Sequence, residues 1–135
     1  MASAWLDETF MLGAEHTSRS KQGHYQFHPL TIHWRMPDGQ IGWVKLVHSQ
    51  PVDVVAGERE LTLAGRGEMM FQVFSPGAVQ EDILCESWGL NGLTVRLEGS
   101  HGPCVVAADE QDSELLTITY PALETQEVNF HLRVS

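Results

Sequence analysis

The chain has 135 residues, of which 42% are hydrophobic and 19% are charged. This length and composition predict one globular domain that can bury a core without metals or disulfides. Eight Lys and Arg against eighteen Asp and Glu give a formal net charge of −10. The acidic balance argues against a nucleic-acid partner and against an anionic membrane surface, because both are bound through basic side chains.

The first eight residues lack the basic and apolar regions of a signal peptide, and no apolar run reaches the length of a membrane span. We therefore expect a cytoplasmic protein. In that compartment Cys85 and Cys104 are expected to be free thiols. A disulfide between them stays open, since both fall at apparent strand positions that could face each other.

The N-terminal residues have a weakly helical pattern, because Trp5, Phe10, Met11 and Leu12 could share one face of a short helix over residues 3–12. Gly13 would end that helix, and an irregular arm fits equally well. Residues 13–29 are loop-like. We therefore predict an N-terminal arm and loop over residues 1–29.

A β-hairpin is predicted for residues 30–48. Residues 30–36 alternate between apolar and polar side chains, and the Pro-Asp-Gly stretch that follows is typical of a tight turn. Residues 41–48 are apolar on both faces, which predicts a strand that is covered on both sides.

Further short strands follow with turn residues between them. Residues 60–75 predict a second hairpin through the Gly-Arg-Gly stretch, and Asn91-Gly92 predicts another turn. Strands are also predicted near residues 82–88, 93–98, 104–108, 115–120 and 127–134. About nine strands in all indicate an antiparallel β-sandwich over residues 30–135, with a closed barrel as the main rival.

Recognisable catalytic signatures are missing from the sequence. There is no Gly-x-Ser-x-Gly elbow, no phosphate-binding glycine loop and no zinc motif. His24, His28 and His33 have spacings that suggest a metal site on a helix, but Pro29 and the adjacent strand pattern argue against a helix there. We therefore expect no metal and no cofactor.

The densest mixture of polar and aromatic side chains lies at residues 21–29. If this stretch folds back across a sheet, its side chains could converge with the first strand and bind a carboxylate or a charged sugar. The competing interpretation is that Tyr25 and Phe27 anchor the arm on the sheet. Trp88 is expected to be more exposed than Trp34. The predicted ligand-binding residues are Arg19, His24, Tyr25, His28, His33, Arg35 and Trp88.

Two stretches, FMLGAEHTSRSKQ (residues 10–22) and FHPLTIHWRMPDGQIGWVKL (residues 27–46), together with the strand-rich remainder, resemble the C-terminal β-sandwich of heparinase II/III-like bacterial proteins. In that family a helical toroid precedes the sandwich. The resemblance implies a sandwich that packs against a catalytic partner domain. This chain contains no toroid, which puts catalysis of its own in doubt.

These observations predict a non-catalytic module that binds carbohydrate or serves as an accessory to polysaccharide processing. One alternative is a lyase or hydrolase that uses His24, Tyr25 and His28. Another is a structural protein that forms a homodimer through the apolar strand at residues 41–48.

Overall fold

A computed structural model describes residues 2–6, 9–15, 30–47, 52–112, 114–123 and 127–135, with backbone alone for residues 2–5, 15 and 80. Within these ranges the chain forms twelve strands and one short 3-10 turn, at Gln80–Asp82. The strands are β1 (Ala2–Leu6), β2 (Phe10–Glu15), β3 (Leu30–Arg35), β4 (Ile41–Val47), β5 (Val52–Gly57), β6 (Glu60–Gly65), β7 (Met69–Phe74), β8 (Ser87–Leu90), β9 (Leu93–Glu98), β10 (Val105–Ala108), β11 (Leu115–Tyr120) and β12 (Val128–Val134).

The strands that the structure describes form two antiparallel sheets. The first sheet has seven strands in the order β1-β2-β3-β4-β7-β11-β10, so β4 is its central strand. The second sheet has five strands in the order β5-β6-β12-β9-β8. The predicted all-β antiparallel sandwich is confirmed.

Residues 2–6 and 10–15 form strands, so the helix and the irregular arm predicted for this part of the chain are both wrong for these residues. Phe10, Leu12 and Ala14 are buried while Met11 is exposed, which is the period of two that a strand requires. In addition, β2 pairs with β3 in the register Leu12 with Ile32. Strands β1 and β2, which precede residue 29, and β3, which follows it, therefore belong to one sheet.

The predicted first hairpin is confirmed as β3 and β4. Its turn is closed by the Met36 backbone N–H, which donates to the Gln40 carbonyl at 2.7 Å, and Gly39 supplies the positive φ of 89°. The prediction that the strand at residues 41–48 is covered on both sides is wrong for the described residues 41–47. One face of β4 is buried, whereas Ile41 and Val47 on the other face are exposed.

The predicted second hairpin is also wrong. Strand β6 pairs with β5 and β12 in the second sheet, whereas β7 pairs with β4 and β11 in the first. Each strand has an apolar face, with Leu63 on β6 and Phe71 on β7 fully or almost fully buried. The Gly-Arg-Gly stretch connects β6 in the second sheet to β7 in the first sheet. The apolar face of each strand is then buried between the two sheets.

An aromatic cluster at the centre of the sandwich joins the two layers. Phe71 and Tyr120 come from the first sheet, and Trp88 and Phe130 come from the second. Ring centroids are 5.0 Å apart for Phe71 and Trp88 and 4.7 Å apart for Tyr120 and Phe130, both at steep interplanar angles. Such edge-to-face pairs contribute about 1 kcal/mol each beyond the burial of their area.

Trp34 ties the first hairpin to the turn between β8 and β9. Its indole Nε1–H donates to the Asn91 carbonyl at 2.8 Å. The Asn91 backbone N–H in turn donates to the Ser75 Oγ at 3.0 Å. A Cβ on Gly42 would lie 2.5 Å from the Trp34 ring, so the indole fits only because position 42 is glycine.

The described residues contain no helix with the length and apolar character of a membrane span.

Candidate functional site

The outer face of the first sheet carries a continuous row of large side chains. Registered pairing aligns one outward-facing residue from each of six adjacent strands. We call this set the outer row: Leu6, Met11, His33, Trp43, Phe74 and Leu115. Because directly opposed residues of antiparallel strands lie on the same face, these side chains form one strip across the sheet.

Exposed apolar side chains concentrate on this face. Leu6 is 70% exposed and Met11 is 44% exposed, although both are large and apolar. Ile41 and Val47 on β4 and Val105 on β10 are further exposed side chains on the same side. An apolar surface of this breadth is unusual for a solvated sheet face and is typical of an interaction site.

The centre of the outer row is an aromatic pair on β4 and β7. The rings of Trp43 and Phe74 are nearly parallel, at 20°, with centroids 5.9 Å apart. The Lys45 Nζ lies 4.6 Å from the centre of the Trp43 ring, which is a cation–π contact. The ammonium group therefore lies within the aromatic surface rather than away from it.

His33 lies between Met11 and Trp43 in the outer row. Its Nδ1 atom is buried and has no hydrogen-bond partner among the described residues. Burial lowers the pKa of His33 below its usual value, and the nearby Lys45 cation lowers it further. The imidazole is therefore neutral at pH 7. Its buried Nδ1 atom makes no hydrogen bond to a described residue, although its surroundings are apolar.

The charge of this face differs from that of the chain as a whole. Among the outward-facing side chains that the structure describes on the strands of the first sheet, Arg35 and Lys45 are charged and no carboxylate is present. The complete chain has a formal charge of −10. The outer row is therefore apolar, and the described side chains around it include two cations and the polar residues Thr31, Gln72 and Thr117.

The outer face of the second sheet is polar by contrast. A shallow groove of about 540 Å³ is lined there by Asp53, Thr62, Glu98 and Asn129 among other residues. Beside it, His131 Nε2 and Glu60 Oε2 are 2.7 Å apart, and both side chains are partly exposed. Most of the outward side chains of this sheet are polar or charged, and Val55 is an exposed apolar exception that also lines the groove.

The predicted ligand-binding residues fall into three groups. Arg19, His24, Tyr25 and His28 lie outside the described residues. His33 and Arg35 both point outward from β3, His33 within the outer row and Arg35 at the end of the strand.

Trp88 belongs to the third group, and its predicted exposure is wrong. Its side chain is fully buried against Phe71, and its Nε1–H donates to the Tyr120 hydroxyl at 3.1 Å. The hydrogen bond satisfies the only polar atom of the indole, so the ring can lie in the core. Trp88 therefore presents no surface to a ligand.

Five residues of the outer row were not among the predicted site residues: Leu6, Met11, Trp43, Phe74 and Leu115. The alternation of β4 places Trp43 and Lys45 on one face, and this signal was present in the sequence. Phe74 could not be added, because its pairing with Trp43 joins strands that are not consecutive in the chain.

The described face contains no catalytic constellation. No group of three or more His, Cys, Asp or Glu side chains within the described part of the chain could hold a metal ion. His33 has no acidic or nucleophilic side chain beside it in the outer row. The chemistry that this arrangement supports is association through apolar contact, aromatic stacking and a cation.

The fold and the outer face define a β-sandwich domain with an exposed apolar and aromatic row across one sheet. The chain belongs to the family described as a domain of unknown function (DUF8770), whose model matches residues 1–108. The match ends with β10, whereas β11 and β12 complete both sheets from beyond it. Searches of curated proteins and of solved structures found no match.

Proposed function

We propose that this chain is a non-catalytic structural and accessory module that associates with a second copy of itself through the outer face of the first sheet. The observation that carries this proposal is the outer row, which is centred on Trp43 and Phe74. Association would remove its exposed apolar side chains from water. That transfer contributes about 25 cal/mol for each Å² of apolar surface buried.

The size of the face suits a dimer. Seven strands at about 4.8 Å spacing, each about six residues long, give a face on the order of 30 by 20 Å. Standard interfaces bury about 800 Å² of accessible surface from each partner. Because side chains make the accessible area larger than the flat projection, two such faces are large enough to form a stable contact.

Electrostatics favours this face over the rest of the surface as the contact between copies. Two chains that each carry a charge of −10 repel each other. The outer face of the first sheet is the region where the described side chains include no outward carboxylate. Two sheets that face each other also pack well at a separation of about 10 Å when the surfaces that meet are apolar.

Sedimentation velocity over a range of concentrations tests the proposal. We expect the wild type to shift toward twice the mass of one chain as its concentration rises. Phe74→Lys should remain monomeric, because it places a cation in the apolar centre of each face. The matched control is Val55→Lys, which replaces an exposed valine on the second sheet and should dimerise like the wild type.

A wild type that stays monomeric at every concentration would contradict the proposal. So would a dimer that Phe74→Lys leaves intact and Val55→Lys disrupts. Circular dichroism of each variant separates loss of association from loss of folding.

A second candidate function is the binding of an acidic carbohydrate on the same face. It is favoured by the Trp43 and Phe74 pair with Lys45 over the indole, since aromatic rings stack on sugar rings and a cation attracts a carboxylate. The sequence resemblance to heparinase II/III-like sandwiches favours this second candidate. A catalytic partner domain would then supply the chemistry.

A glycan array that includes neutral and uronate-containing oligosaccharides tests this candidate. We expect wild-type binding to acidic glycans, loss of binding in Trp43→Ala, and weaker, less salt-sensitive binding in Lys45→Gln. Silence across the array from a folded wild type would remove this candidate and leave self-association untouched. The lyase or hydrolase alternative uses His24, Tyr25 and His28, which lie outside the described residues, and no described contact favours it.

A further inference from the structure

Cys85 and Cys104 meet at the side of the sandwich opposite β5. Cys85 lies just before β8, the edge strand of the second sheet, and Cys104 lies just before β10, the edge strand of the first sheet. Both are free thiols, and both are partly buried. A bond between their sulfur atoms would join the edges of the two sheets.

The backbone around the two cysteines holds them close together. The Cys104 backbone N–H donates to the Cys85 Sγ at 3.1 Å, so this sulfur is in direct contact with the backbone of Cys104. The Cys85 carbonyl accepts a hydrogen bond from the Tyr120 hydroxyl at 2.6 Å, and Tyr120 accepts one from Trp88. The buried aromatic cluster therefore fixes the position of Cys85.

A disulfide requires the two cysteines to lie side by side, with Cβ atoms about 3.8 Å apart. The 3.1 Å contact between the Cys85 Sγ and the Cys104 backbone nitrogen makes the two residues direct neighbours. Rotation about their side-chain bonds is the movement by which the two sulfurs would meet.

We propose that Cys85 and Cys104 form a redox-sensitive pair that a small-molecule disulfide, such as glutathione disulfide, converts to an intramolecular disulfide across the two sheet edges. The thiolate of one cysteine attacks a sulfur of the oxidant, and the first small thiol leaves with the electron pair of the broken bond. The other cysteine then attacks the protein sulfur of this mixed disulfide and displaces the second small thiol. Both protein thiols are oxidised, the oxidant is reduced to two thiols, and the two protons pass to the leaving thiolates.

The reaction is expected to be slow at neutral pH and faster in alkali. Burial and the adjacent Cys85 thiol raise the pKa of Cys104 to about 11. Cys104 must lose its proton whether it attacks first or second, and only the thiolate is nucleophilic. The rate of disulfide formation should therefore increase as the pH is raised above neutrality.

The experiment treats the reduced full-length chain with glutathione disulfide and follows it by thiol titration and intact mass. We expect the wild type to lose both thiols and the mass of two hydrogens, with no glutathione attached. The melting temperature should rise on the order of 10 °C, because the bridge restricts the unfolded chain, and dithiothreitol should reverse both changes.

The matched controls are Cys85→Ser and Cys104→Ser. Each retains one thiol, so each should end as a mixed disulfide that carries one glutathione and gains no thermal stability. Circular dichroism of the reduced variants checks that they fold. A wild type that binds two glutathiones, forms disulfides between chains or keeps both thiols free would overturn the proposal.

Discussion

The outer faces of the two sheets follow the same backbone pattern and differ in what they display. On the first sheet the outward positions of β2, β4 and β7 hold Met11, Trp43 and Phe74, which form part of the outer row. On the second sheet the outward positions of β6 and β12 hold Thr62 and His131, which are directly paired.

The inward-facing side chains that the structure describes on both sheets are apolar. The inner faces therefore carry information about the fold and none about a binding partner. Only the outer positions are free to vary without loss of the core. A difference between two outer faces therefore indicates a difference in what each face contacts. The predictions below test this contrast, from the largest expected effect to the smallest.

The largest expected effect is a difference in the free energy of unfolding between substitutions on the inner and on the outer side of the first hairpin. Trp34→Ala should lower the free energy of unfolding by about 3–5 kcal/mol, because it leaves a cavity in the core. Trp43→Ala should lower it by about 1 kcal/mol, since Trp43 is only partly buried on the outer face. Urea unfolding at low protein concentration measures both, and equal losses would contradict the assignment of the two faces.

The second largest expected effect is a difference in self-association between a substitution at the centre of the outer face and one at its edge. Trp43→Ala should weaken self-association about 30-fold, because Trp43 lies on the central strand, where binding energy concentrates. Val105→Ala on the edge strand β10 should change it less than threefold. Equilibrium sedimentation gives both dissociation constants. An edge substitution that weakens association more than the central one would place the contact elsewhere.

A smaller effect should appear as pH dependence at the outer row. The pKa of His33 is lowered in the folded chain by burial and then by Lys45, so the unfolded chain binds a proton first as the pH falls. Stability from this group is therefore complete above the unfolded pKa of about 6.5 and decreases as the pH falls from there toward the folded pKa.

His33→Gln should flatten this part of the stability profile. His131→Gln on the second sheet is the matched control and should leave the contribution of His33 in place. Urea midpoints between pH 7.5 and pH 5 measure the slope. An unchanged slope in His33→Gln would show that another group causes it.

The smallest effect is expected on the polar face. Glu60→Gln removes the carboxylate that lies 2.7 Å from His131 Nε2, and such partly exposed contacts are worth about 0.5 kcal/mol. The dissociation constant for self-association should not change. A marked loss of association in this variant would mean that the second sheet also forms the contact.

The inner residues of single strands were predictable from alternation alone. Ile32 and Trp34 on β3, and Phe130 and Leu132 on β12, are buried as the pattern predicts. The turns at Gly39 and Gly92 were predictable as well, because each needs a positive φ that glycine adopts without strain.

Features that depend on distant parts of the chain were not predictable. For residues 3–12 the sequence predicted a short helix or an irregular arm, because the strand pairing of residues 10–12 with β3 cannot be read from the stretch itself. The burial of Trp88 depends on Tyr120, which supplies a partner for the indole N–H. The outer row exists only because strands that are separated in sequence align in one register.

Hydroxyl-radical footprinting at low and high protein concentration, read by mass spectrometry, compares the two faces within one molecule. We predict that oxidation of Met11 and Trp43 decreases as concentration rises, because a second copy covers the outer row. Oxidation of His131 on the second sheet should stay constant over the same range. Constant oxidation of Met11 and Trp43 in a chain that self-associates, or protection of His131, would contradict the account.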